Sequence, residues 1–170
     1  MMKIAQASIS ELGTITGKAG NQNKRELNIK TYCGSCQYAI RFKNPDVAEN
    51  LVQIAKACVL NMNIGYSQIN RNSLWKYARK HLCISGIVEK CDCDCSSMVS
   101  VCINLAWYSI HRCWLPNYNI DTNACTTRNM RQKLLNTGQF EIIPRPRKAD
   151  LLEGDIVLNE GKHVAIIIER

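Results

Sequence analysis

A chain of 170 residues that is 46% hydrophobic is long enough to bury a core of its own. Its formal net charge of +8 favours an anionic partner, whether nucleic acid, a membrane surface or an anionic polymer, and its scattered basic residues form no block that selects one. No stretch approaches the roughly 20 apolar residues that cross a bilayer, and the opening MMKIAQASISELGTITG lacks the charged lead and apolar run of an export signal.

In chain order, Ile4, Ala5, Ser8, Ile9 and Leu12 fall at helical spacing, which predicts a first helix over 3–12. GTITGKAGNQNKRE reads as a loop. Asn44 is a capping residue and Pro45 suits the first helical position. Val47, Leu51, Ile54, Ala55, Cys58 and Met62 then predict a second helix. Residues 65–82 read as a loop running into a third helix capped near Asn72 or Ser73. A fourth helix is expected from Ser96 to about Ile110, burying Val99, Cys102, Ile103, Ala106 and Ile110. LPNYNIDTNAC is a loop, and a fifth helix is expected from Thr126 or Thr127 to Gly138. FEIIP, DIVL and HVAIII then read as strands, with RPRKADLLEGD as connector and NEGK as a hairpin turn. Helices first and antiparallel strands last predict an α+β fold, with helices packed on a small C-terminal sheet. With no internal repeat, 1–170 reads as a single domain.

The chemistry turns on ten cysteines. Without an export signal the chain is expected to be made in a reducing cytosol, where most thiols are buried small hydrophobes rather than disulfides. Cys33 and Cys36 have the spacing of half a zinc site, and Cys91, Cys93 and Cys95 could complete it. Alternate residues of a strand, however, spread over about 13 Å, whereas zinc holds each thiolate at about 2.3 Å. A basic zinc- or nucleic-acid-binding module is therefore the alternative reading. The favoured one is catalytic. Cys95 stands directly before Ser96 and Ser97 at the head of the fourth helix, where unpaired N–H groups lower a thiol pKa. Asp94, just before it, is read as the helix cap.

A nucleophilic thiol needs a base. His81 lies among Arg79 and Lys80, and His111 lies about 20 Å along the helix that Cys95 begins. His163 opens the last strand and is the histidine placed to meet Cys95.

These same residues carry a family resemblance. Asp94-Cys95-Ser96-Ser97-Met98-Val99, followed by Gly154-Asp155-Ile156-Val157-Leu158 and Gly161-Lys162-His163-Val164-Ala165-Ile166, resembles the papain-like cell-wall hydrolases, including the NlpC-type and CHAP-type thiol peptidases. Residues 17–26, Gly65-Tyr66-Ser67-Gln68 and Arg71-Asn72-Ser73-Leu74 are similar to the bacteriophage peptidoglycan amidohydrolase branch, the endolysin catalytic domain. The resemblance implies a papain-like fold and hydrolysis of a peptidoglycan amide, with no metal or other cofactor and no nucleic-acid partner. It implies Cys95 as nucleophile and His163 as its ion-paired partner, acid and base. Gln22 and Glu26 in the glycine-rich loop, with Asp94, become candidates for lining the substrate groove; a solvated loop is the alternative for the first two. Relatives orient the histidine with a polar side chain on a later strand, but Glu169 would lie about 20 Å away, so the third residue stays unassigned. No separate wall-binding domain is recognisable, and the expected setting is cytoplasmic synthesis followed by release to the wall.

Overall fold

The computed structural model describes residues 1–119 and 125–170. Its centre is a six-stranded antiparallel sheet in the order β2-β1-β8-β7-β3-β6, formed by β1 (Lys3–Ala7), β2 (Leu27–Thr31), β3 (Tyr38–Phe42), β6 (Phe140–Pro144), β7 (Ile156–Asn159) and β8 (His163–Glu169). A separate parallel pair joins β4 (Ile64–Tyr66) to β5 (Cys91–Cys93). The described helices are α1 (Pro45–Leu60), α2 (Ser73–His81), α3 (Cys95–His111) and α4 (Met130–Asn136). None of them is long and apolar enough to cross a membrane.

The expectation of a C-terminal sheet is corrected here: half of the sheet comes from the first 42 residues. Residues 3–7 form a strand where helical spacing predicted a helix. Two periodicities overlap in this segment, and pairing decides between them. As β1 the segment bonds to β2 on one side and β8 on the other. Ala5 and Ala7 then face the helices with no exposed surface, whereas Leu12, which the helical stripe would have buried, is 73% exposed. Small side chains here let the helices approach the sheet closely.

Val164, Ile166 and Ile168 of β8 join the main core with α1 and α3, while Ala165 and Ile167 join a smaller core with Met2, Ile4 and Leu151 on the opposite face. Both faces of the central strands are therefore covered, which is why VAIII, after His163, is continuously apolar. α3 is buried around its whole circumference from Ser96 to Trp107, rather than along a stripe, and Ile110 lies beyond the core.

Some local signals were accurate, although Met62, expected on the second helix, lies beyond α1 and is exposed. The Asn44 side chain accepts the Asp46 N–H at 2.9 Å and caps α1. α2 begins at Ser73 as expected. α4 starts at Met130, later than predicted, because the Asn129 side chain ties Thr126 into a preceding turn. Of the 115–125 loop, residues 120–124 lie outside the described residues. Gly154 adopts a left-handed φ of +86°, and a Cβ there would meet the Ala48 carbonyl oxygen at 2.8 Å. The glycine of the Gly154-Asp155 pair is thus required where β7 approaches α1. Asp155 itself is fully buried and takes both its oxygens to Arg41, at 2.7 and 2.8 Å.

Candidate active site

α3 starts with a reciprocal cap. Asp94 Oδ1 accepts the Ser97 N–H at 2.7 Å, and Ser97 Oγ accepts the Asp94 N–H at 2.8 Å. The capping role read from the sequence for Asp94 is the one the structure gives it, and its carboxylate is committed to protein partners. Arg71 Nη2 donates to Asp94 Oδ1 at 3.1 Å and to Ser96 Oγ at 2.6 Å. Arg71 Nε meets Oδ2 at 2.8 Å without the alignment of a hydrogen bond. The other reach of Nη2 is to the Cys125 carbonyl at 2.7 Å. A buried arginine thus balances a carboxylate that would otherwise stand alone beside residue 95.

Cys95 is the first helical residue and is half-buried, with a free thiol. Its sulfur lies against the backbone N–H of Val164, the residue after His163. Burial, and then the Asp94 charge, push the thiol up to about 11, while the N–H groups of Val164 and Ser96 and the Arg71 charge pull the other way. The expected depression by the helix head is outweighed. His163 moves in the opposite direction: burial and the nearby Lys30 charge hold its pKa below 6.5. Both shifts favour the uncharged forms, a thiol at Cys95 and an imidazole at His163.

Which imidazole nitrogen carries the proton follows from a chain of bonds across three strands. His163 Nε2 lies 2.8 Å from Gln6 Oε1. Gln6 Nε2 donates to Asn28 Oδ1 at 3.1 Å, and Asn28 Nδ2 donates to the Arg25 carbonyl at 2.8 Å. A backbone carbonyl only accepts, so Asn28 must present its amide nitrogen there and its oxygen to Gln6. Gln6 then presents its oxygen to the histidine, and Nε2 bears the hydrogen. Nδ1 is left with its lone pair, the state a general base needs.

A family model described as an endolysin-like domain matches residues 4–170. The chain belongs to the endolysin-like domain family. No curated protein and no solved structure matches it. Membership supports a lysin-type hydrolase whose substrate is the peptidoglycan of the bacterial cell wall.

Elsewhere in this endolysin-like domain the other candidates take different places. Gln22 is 8% exposed and Glu26 fully buried. Gln22 Oε1 accepts the Lys24 N–H at 2.6 Å, and Glu26 Oε2 accepts the Asn23 N–H at 2.9 Å. These two side chains shape the loop from within instead of facing solvent. The ten thiols are all free, and the described residues contain no group of three or more His, Cys, Asp or Glu that could hold a metal. Cys33 is exposed, whereas Cys91 and Cys93 are packed in the core with Cys58 and Cys102. His81 binds Glu89 at 2.8 Å, and His111 stacks on Trp107 with ring centroids 3.8 Å apart.

Gln6 and Asn28 carry no motif signal in the sequence, and Tyr66 and Arg71 stand in motifs of the resemblance without a role assigned to them. Tyr66 is buried at the end of β4, where burial, followed by the charges of Cys95, Asp94 and Cys93, raises its pKa. The parallel β4–β5 pair puts it there: Tyr66 lies opposite Cys93, two residues before the thiol. The glycine before it is forced, since a Cβ at Gly65 would meet Asp92 Oδ1 at 2.8 Å. KIAQA is buried from Ile4 to Ala7, which makes Gln6 a polar side chain in a buried stretch, whereas LNIKT, buried only at Leu27, gave no comparable signal for Asn28.

Proposed function

We propose that this endolysin-like domain hydrolyses an amide bond of peptidoglycan, with Cys95 as nucleophile and His163 as base and acid, on a papain-like arrangement of helix and sheet. The observation that carries the reading is the seam between α3 and β8: a half-buried thiol at a helix head, against the peptide N–H that follows a tautomer-locked histidine.

From a neutral resting pair, His163 Nδ1 takes the thiol proton as the sulfur attacks the carbonyl carbon. The negative oxygen that develops meets the Cys95 N–H, one of the donors that a helix leaves unpaired at its start. The imidazolium gives its proton to the leaving amine, and the amide C–N bond breaks. Water, deprotonated by the same nitrogen, then releases the acid from the thioester. Gln6 holds Nε2–H throughout, so the ring keeps its orientation as its charge changes. In this reading residues 1–170 act as one catalytic domain, and the positive surface favours approach to anionic wall polymers after the protein is released to them.

The test is digestion of purified walls by the wild-type protein, Cys95→Ser and His163→Ala, followed by mass spectrometry of released fragments. Wild type should generate one new amine and one new carboxylate per cut, at either the muramoyl–L-alanine bond or a stem-peptide bond. Wall digestion that persists in folded Cys95→Ser would refute the thiol mechanism. Reducing sugar ends without new amines would show a different bond class.

A further inference from the structure

Two strands over from His163, at the β2 edge of the sheet, lies a groove of about 580 Å³ whose lining includes Ser8, Lys24, Arg25, Asn28 and Lys30 and no acidic residue. The three cations are exposed, and among the described residues none of them is in an ion pair. Their placement is built rather than incidental. Lys24 holds a φ of +67°, which a lysine rarely adopts, because the buried Gln22 oxygen accepts its N–H. The Asn23 side chain accepts the Arg25 N–H at 3.0 Å, and the buried Glu26 carboxylate accepts that of Asn23. A bonded turn thus turns two cationic side chains outward, and Lys30 on the edge strand β2 supplies the third.

A chain of hydrogen bonds ties the groove to the candidate active site. Asn28 both lines it and bonds Gln6, which bonds His163. The Lys30 charge is near enough to oppose protonation of the imidazole. In amide cleavage by a thiol, the acyl half of the substrate stays with the sulfur and the amine half lies on the side of the imidazole that protonates it. From α3 through β8 and β1 to β2, that side leads into the groove.

We propose that Lys24, Arg25 and Lys30 form a subsite for a carboxylate on the amine-side fragment of the peptide substrate. The proposal rests on the Cys95–His163 reading for which side of the bond the groove serves. Unpaired cations around one concavity draw an anion, and an arginine adds the planar fork that matches a carboxylate. Specificity for a free acid over its amide then comes from charge left unmatched when the amide binds.

The probe is N-acetylmuramoyl-L-alanyl-γ-D-glutamyl-L-lysine, which contains both candidate bonds, prepared with its carboxylates free or as carboxamides. Calorimetric titration of the non-cleaving Cys95→Ser protein should show the free acid binding about tenfold or more tighter than the carboxamide at low salt, with the gap narrowing as salt rises. The triple variant K24Q/R25Q/K30Q in the same background, checked for an unchanged melting temperature, should lose the gap. Equal affinity for the two forms, or a preference that survives the triple variant, overturns the subsite. Wild-type cleavage of both forms with equal KM overturns it as well while leaving the thiol mechanism standing. Acid-selective binding in a Cys95→Ser protein that still cleaves overturns the mechanism, and with it the amine-side assignment, but not the anion site.

Discussion

Cys93 and Cys95 are two residues apart and chemically far apart. Cys93 is the last residue of β5, fully buried among Cys58, Cys91 and Cys102, with its thiol 3.7 Å from the Gly65 carbonyl. Burial and the neighbouring thiols push its pKa well above the ordinary value. Cys95 is also pushed up by burial, but it faces two peptide N–H groups, an arginine charge and the strand that carries His163. The same side chain is packing in one place and a candidate reagent in the other. The difference is made by a single cap: Asp94 ends the strand direction and turns the next residue onto a helix head.

That contrast can be broken directly. Cys95→Ala and His163→Ala should each lower the rate of wall digestion by at least about a thousandfold with an unchanged melting temperature. A second Cys95 variant with residual activity near wild type would end the comparison. Arg71→Met should act on both fold and site, because it leaves the Asp94 carboxylate buried without its partner. A stability loss of about 3–5 kcal/mol in urea unfolding is expected, and a loss below about 1 kcal/mol would mean that the pair contributes little.

Gln6→Ala should lower kcat/KM by roughly 10–100-fold, in line with loss of an oriented general base. Gln6→Glu keeps an acceptor and adds a charge that favours the imidazolium, so its acid limb should move to higher pH. An unmoved pH profile in Gln6→Glu would show that Gln6 does not hold the ring. Cys93→Ala should leave digestion within a few-fold of wild type and cost roughly 1–2 kcal/mol of stability, as a core thiol should.

Two pH measurements sharpen the same contrast. Alkylation of Cys95 by iodoacetamide, followed by peptide mapping, should rise about tenfold per pH unit between pH 7 and 9, because its thiol titrates near 11. A plateau in that range would mean a pre-formed thiolate. For stability the sign is set by the buried thiols. Cys91 is pushed up to about 12 and Cys95 to about 11, both above the ordinary 9.0. Above pH 9 the unfolded chain therefore releases protons that the folded chain retains, and stability falls as pH rises. The urea midpoint should decline between pH 8.5 and 10.5, and more gently in Cys91→Ala.

The candidate nucleophile and base were legible because each is announced locally. Asp94-Cys95-Ser96-Ser97 is a capping pattern in front of an apolar run, and Gly161-Lys162-His163 is a turn opening a strand. The residues that orient them were not legible. Gln6 reads as one polar residue in a stretch that could be helix or strand, and Asn28 as one amide in an unassigned segment. Gln22 and Glu26 drew attention as polar residues of a loop, yet the structure uses them to shape the loop from inside. Exposure is not written in residue type.

By itself the sequence determined the helix caps and the hairpin near the end, since these depend on hydrogen bonds and spacings within a few residues, and it nominated Cys95 and His163 as candidates. Only the tertiary structure decided that the first strand lies beside the last, because a five-residue strand has no stability until its neighbours supply the ladder. That single pairing brings Gln6 to His163 across 157 positions of chain. It fixes which imidazole nitrogen is free, and it brings the Lys30 charge near enough to act on the ring.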